Sequence, residues 1–155
     1  MASYAPFLHL AQRTPLLRIV VNHIGMLPVT GGAVAPDNVA LIEALASHPN
    51  VFMKLSGTME GAAHTDRKGR RDNLTHQSRE APPDLEFYRP VLELLWRCFG
   101  EDRLIYGSNW PCTKKSGNYE SFVKLVNAYF SEKGEEACEK YFWKNASKAY
   151  GLGLK

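Results

Sequence analysis

The sequence has no run approaching the roughly 18 consecutive apolar residues that a membrane-spanning helix needs, so no membrane partner is expected. Its opening, Met1-Ala2-Ser3-Tyr4-Ala5-Pro6, carries neither a basic segment nor a long apolar one; no secretory signal is read there, and a cytoplasmic location is expected. Cysteine is sparse. Cys98, Cys112 and Cys138 are odd in number and never spaced as CxxC, which excludes a disulfide framework or a cysteine zinc site and leaves three free thiols. Charge of one sign is lacking too, since 19 Lys and Arg face 16 Asp and Glu in an interspersed pattern. The resulting net charge of +3 gives no footprint for nucleic acid. No internal repeat recurs at a fixed period.

Hydrophobic residues make up 45% of the chain and charged residues 23%, the balance of a folded globular protein. A length of 155 residues fits one domain, residues 1–155. It falls short of the roughly 250 residues typical of a complete eight-stranded α/β barrel.

Three short apolar runs read as buried strands: Arg18 to His23, Val51 to Ser56 and Arg103 to Gly107. Their apolar character is continuous rather than alternating, which predicts parallel strands covered on both faces. Helical periodicity lies between and after them. A helix is expected from about Tyr4 to Gln12. Another follows Pro36, capped by Asp37 or Asn38, with Val39, Ile42, Leu45 and Ala46 on one face. Pro90 suits the first turn of a third, with the stripe Val91, Leu94, Leu95 and Cys98. Asn118 can cap a fourth, with Tyr119, Phe122, Val123, Val126 and Phe130 as its buried face. Glu135 to Tyr150 adds an aromatic-rich helical end. The alternation predicts an α/β fold of β-α units around a parallel sheet.

Residues 58–84 break this rhythm. The stretch is polar and punctuated by Gly and Pro, with five bases balanced by five acids, and reads as an insertion loop over the C-terminal edge of the strands. Two readings stand side by side, a lid and a plain solvated loop.

Each strand ends in chemistry. Asn22-His23-Ile24-Gly25 follows the first, Ser56-Gly57 the second, and Gly107-Ser108-Asn109-Trp110-Pro111 the third. Parallel α/β folds place their sites at this edge, where rigid strand ends aim side chains at a common point. His23 can titrate near neutrality or bind a metal, or it can be satisfied by a backbone carbonyl. Asn109 and Trp110 are expected to face outward, with Trp110 alone reading as a packing residue.

Taken in order, these landmarks, together with Asn50 before the second strand, Asp102-Arg103 before the third and Asn145-Ala146-Ser147-Lys148-Ala149-Tyr150 near the end, resemble the amidohydrolase-related family. That family includes fuconolactonase-like sugar lactonases and 2-pyrone-4,6-dicarboxylate lactonases. The resemblance covers about residues 4–152 and implies a partial (β/α)8 barrel, its last three β-α units. It further implies a hydrolase acting on a sugar lactone or related ester-like carbonyl, with a divalent metal such as zinc. His23 matches a metal- or substrate-binding histidine and Asn109 a catalytic aspartate, while Ser56, Glu60 and Trp110 match the substrate pocket. The chain departs from the family pattern twice. No His-x-His pair occurs anywhere in it, and an amide stands at Asn109, which cannot accept a proton at neutral pH. Glu60 is the nearest acid that could substitute. The rival class is a non-catalytic binding or assembly module. A half-barrel with open sheet edges and an exposed apolar inner face would self-associate or pair with a complementary half. Translation from an internal start of a longer reading frame is a third expectation.

Overall fold

The computed structural model describes residues 5–65 and 79–153. Helix α1 (Ala5–Arg13) leads into strand β1 (Ile19–Val21), helix α2 (Pro36–Ala46) and strand β2 (Val51–Leu55). Helices α3 (Thr58–Ala63) and α4 (Leu85–Phe99) precede strand β3 (Leu104–Tyr106). The chain finishes with α5 (Tyr119–Lys133), α6 (Glu135–Glu139), one π-helical turn (Lys140–Lys144) and α7 (Asn145–Tyr150). The strands form one parallel sheet in the order β1-β2-β3, with Val21 opposite Met53 and Met53 opposite Leu104. All three are shorter at their ends than the apolar runs suggest.

Because strand side chains alternate between faces, this register sorts the sheet into two surfaces. Val21, Met53, Leu55 and Leu104 join the main core with residues of α2, α4 and α5. Val20, Phe52 and Ile105 lie on the other face, under Ala146 and Ala149 of the C-terminal helical region. The expected exposed apolar inner face is therefore not found. Phe52 and Ile105 are 3% and 1% exposed, because the chain's own C-terminal helix folds back over them.

Four local expectations are corrected. Helix α2 starts at Pro36 itself, after Ala35, rather than behind a cap at Asp37 or Asn38. Helix α4 starts at Leu85, where Asp84 accepts the Glu86 N–H at 3.1 Å, and Pro90 lies inside it rather than at its first turn. The loss of one backbone donor at Pro90 is offset by burying Tyr88, Val91 and Leu92 around it. The stretch 58–84 does not begin as loop: Thr58, Met59, Gly61 and Ala62 are buried in α3. Residues 66–78 of that stretch, on which the lid reading falls, lie outside the described residues. In α5 the buried face is Phe122, Leu125, Val126, Tyr129 and Phe130, while Tyr119 is exposed. The Asn118 cap forms as expected, accepting the Ser121 N–H at 2.7 Å.

The N-terminal ends of the strands are clamped by polar side chains that bond to backbone. Before β2, the buried Asn50 amide donates to the carbonyls of Leu17 (2.9 Å), Thr14 (3.1 Å) and Ala11 (3.3 Å), fastening α1 and the approach to β1. Before β3, Arg103 donates through Nη1 to Ala46 and His48, both at 2.9 Å, and through Nη2 to Cys98 at 3.2 Å. Asn145 donates to Glu101 (2.7 Å) and Leu104 (2.8 Å), tying the start of α7 to β3.

Between α4, α5 and the π turn sits an aromatic cluster in which Phe130 and Tyr141 stack at 3.7 Å. Burial pushes the Tyr88, Tyr129 and Tyr141 phenols well above their ordinary range, with Glu60 adding at Tyr88 and Glu93 at Tyr129. A raised folded-state value means the folded chain keeps these protons while the unfolded chain loses them above about pH 10. Stability is thus full below pH 10 and falls as pH rises beyond it, by about 1 kcal/mol per buried tyrosine at pH 11. Urea titrations at pH 8, 10 and 11 should show a small drop of the midpoint between pH 8 and 10, where the unfolded phenols become half ionised, and a larger one between pH 10 and 11. A midpoint that stays level between pH 10 and 11 would exclude the tyrosines as the cause.

Candidate active site

The clamps occupy one edge of the sheet and the candidate site residues the other. Just beyond β1, His23, Ile24, Gly25 and Met26 all have positive φ, making a left-handed turn. A β-branched residue such as Ile24 at φ 48° is strained in that region, by about 1–2 kcal/mol. Its side chain is 1% exposed, so core burial holds the turn in place.

This turn brings the His23 ring beside β2. Nδ1 lies 2.9 Å from Ser56 Oγ, a hydrogen bond that fixes the imidazole and leaves Nε2 as the second ring nitrogen. Gly57 sits at φ 66°, a conformation that favours glycine, and a Cβ there would press against His23 Nδ1 at 3.2 Å. Gly107 performs the same service after β3, where a Cβ would come within 2.8 Å of Lys54 Cδ and 3.1 Å of Ser56 Cβ.

The second polar centre joins α3 to the turn after β3. Glu60 Oε1 accepts two hydrogen bonds of 2.7 Å each, from Asn109 Nδ2 and from Thr113 Oγ1. Thr113 also lies 2.6 Å from the Ser108 carbonyl oxygen, so its single hydroxyl hydrogen serves two acceptors. Asn109 sits at φ 54°, a conformation asparagine tolerates better than most residues. It does not face outward as expected: its amide is turned in toward Glu60 and half-buried. Trp110 is 48% exposed and packs edge-on against Tyr119 at 6.1 Å.

Five candidate residues thus resolve into two bonded pairs, His23 with Ser56 and Glu60 with Asn109, and one exposed aromatic, Trp110. Thr113 was not singled out in the sequence. Its one signal was its place four residues after Asn109, within reach across a single turn.

A zinc ion takes four ligands, at least three of them protein side chains in most sites. Among the described residues no three His, Cys, Asp or Glu side chains gather to hold a metal, so they do not by themselves fit one. His23 could be at most a single ligand. The three thiols are unpaired, Cys112 exposed and Cys98 and Cys138 half-buried, and none is among the site residues described above. Among the described residues no helix is long and apolar enough to cross a membrane.

A parallel sheet with polar groups gathered at the C-terminal ends of its strands is the arrangement in which parallel α/β folds carry their sites. Residues 5–152 match the family described as Amidohydrolase, and the chain belongs to that family. It is 34% identical over 113 residues to an L-fucono-1,5-lactonase of Burkholderia ambifaria, covering 72% of this chain and 32% of that one. It is 28% identical over 159 residues to an L-rhamnono-gamma-lactonase of Scheffersomyces stipitis, covering 94% and 44%. Among solved structures, an amidohydrolase of Burkholderia multivorans with bound zinc superposes with a TM-score of 0.75 at 23% identity, over 96% of this chain and 49% of that one. A putative 2-pyrone-4,6-dicarboxylic acid hydrolase of Pseudomonas putida gives 0.65 at 21%, over 97% and 50%. The chain therefore spans about a third to a half of the length of these relatives.

Proposed function

We propose that this chain carries a hydrolytic site for sugar lactones, with Glu60 as general base and His23 as general acid. The observation that carries the reading is the pair of 2.7 Å hydrogen bonds from Asn109 and Thr113 to one oxygen of Glu60. These contacts on Oε1 orient the carboxylate. Among the described residues no hydrogen bond is made to Oε2, which is the oxygen that takes the proton of an attacking water. As water adds to the lactone carbonyl, the ring C–O bond breaks and the leaving oxygen takes a proton from His23, whose ring is aligned by Ser56. Asn109 then serves as an orienting donor, which explains how an amide can occupy a position where the family carries an acid. Trp110 offers an apolar face at the rim for the sugar ring. The remaining wall of the pocket comes, in this proposal, from a second copy of the chain.

The test is ring opening of L-fucono-1,5-lactone followed by acid release at constant pH, with and without added zinc. Turnover above the spontaneous rate is expected. His23→Asn should remove it by at least about 100-fold, since general acid catalysis typically contributes that much or more. Asparagine is chosen because it accepts the positive φ of this position. No turnover by the unsubstituted chain, or an unchanged rate in the variant, would overturn the reading.

A further inference from the structure

Four residues in succession after β1 stand in the left-handed region: His23 at φ 54°, Ile24 at 48°, Gly25 at 62° and Met26 at 59°. L-residues visit this region singly, because Cβ crowds the following carbonyl oxygen, and only glycine enters it freely. The turn closes on two backbone hydrogen bonds, from the Gly25 N–H to Asn22 at 3.1 Å and from the Leu27 N–H to Ile24 at 3.3 Å. A right-handed turn makes bonds of the same kind with less crowding, so these two do not choose the hand. Something outside the turn must hold it.

The turn exchanges two side chains between faces. Strand side chains alternate, so an extended continuation of β1 would send His23 to the face of Val21, which is the main core. The left-handed turn sends Ile24 there instead, where it is 1% exposed, and brings the His23 ring to Ser56 at 2.9 Å. Leu27 and Val29 follow Ile24 into the core. Met26 is 51% exposed and His23 half-buried, so of the three side chains that bear the strain only Ile24 is seated in the apolar core.

We infer that Ile24 is a positioning residue for His23: its seat in the core keeps the turn left-handed and thereby keeps the imidazole on Ser56. The consequence for turnover rests on the reading of His23 as general acid, whereas the geometry can be measured with no substrate present.

Proton NMR of the whole chain reads both ends of this coupling. The intraresidue amide-to-α NOEs of His23, Ile24 and Met26 are strong only at positive φ, and an NOE from the His23 ring to the Ser56 β-protons reports the side-chain contact. Ile24→Ala should weaken the ring-to-Ser56 NOE by about threefold or more, because the burial lost exceeds the strain relieved and the seated arrangement becomes the minor one. Ile24→Val, the milder truncation, should weaken it less, and is read in the same way if the alanine variant does not fold. Ile42→Ala removes an equally buried isoleucine of the same core, in α2, and should leave both signals at parental strength. Met26 supplies a second arm that spares the core. Met26→Ile sets a β-branch at φ 59° and should weaken the contact, while Met26→Gly removes the crowding and should preserve it. An undiminished NOE in both Ile24 variants, an equal loss in Ile42→Ala, or the same response in the two Met26 variants would each overturn the assignment.

Discussion

Replacing Arg103 with alanine is expected to lower the stability of the fold by about 3 kcal/mol, the scale of losing hydrogen bonds to a charged donor that is not replaced. The guanidinium reaches carbonyls at the end of α2 (Ala46), in the turn before β2 (His48) and at the end of α4 (Cys98), besides lying over the Phe99 ring at 5.3 Å. One planar group therefore ties two helix ends to the start of β2, and its removal leaves part-buried carbonyls without partners. Lysine restores the charge but not the fork of donors, so Arg103→Lys should recover less than half of the loss. Urea unfolding with an unchanged slope checks this. A midpoint for Arg103→Ala within experimental error of the parent would show that water replaces the clamp at no cost.

Glu60→Gln should reduce lactone turnover by about 100- to 10,000-fold while leaving KM and the unfolding midpoint near their parental values. The amide keeps an oxygen to accept from Asn109 and Thr113, so the local hydrogen bonds survive, but it cannot take a proton from water. Retained turnover would remove Glu60 from the chemistry. Asn109→Asp is the companion experiment. It sets a second carboxylate at the 2.7 Å contact, and two such groups share one proton, with the apparent pKa of the pair raised. The protonated pair is stable below that raised value and repels above it. The variant should therefore lose stability as pH rises from 5 to 8, where the parent stays level. A flat stability profile would mean that the two side chains separate when both are charged.

Much of the site was legible because parallel strands deliver their C-terminal ends to one edge. His23 and Ser56 each follow an apolar run, and their contact needs only that β1 and β2 be neighbours in register. The Glu60 contact was not legible in the same way. Residues 58–63 sit at the head of a polar, glycine-punctuated stretch, and only the burial of Thr58 and Met59 beneath the sheet edge turns them into α3 and swings the carboxylate toward Asn109. Pro90 misled for a related reason. Its preference for a first turn is a local rule, whereas Asp84 supplies an actual cap six residues upstream of Pro90, and packing outweighs one lost donor. The landmarks Asn50, Arg103 and Asn145, by contrast, were visible as a pattern but silent about purpose. Their side chains serve the strand entrances and stabilise the scaffold, away from the edge that carries His23 and Ser56.

The C-terminal helix that lies across Val20, Phe52 and Ile105 has a mechanical consequence. Any additional strand curling over that surface must first dislodge α7, trading one set of apolar contacts for another. The helix is a built-in cover for that face, moored by the bonds of Asn145 to Glu101 and Leu104. Such a seat also shields the hydrophobic surface from water.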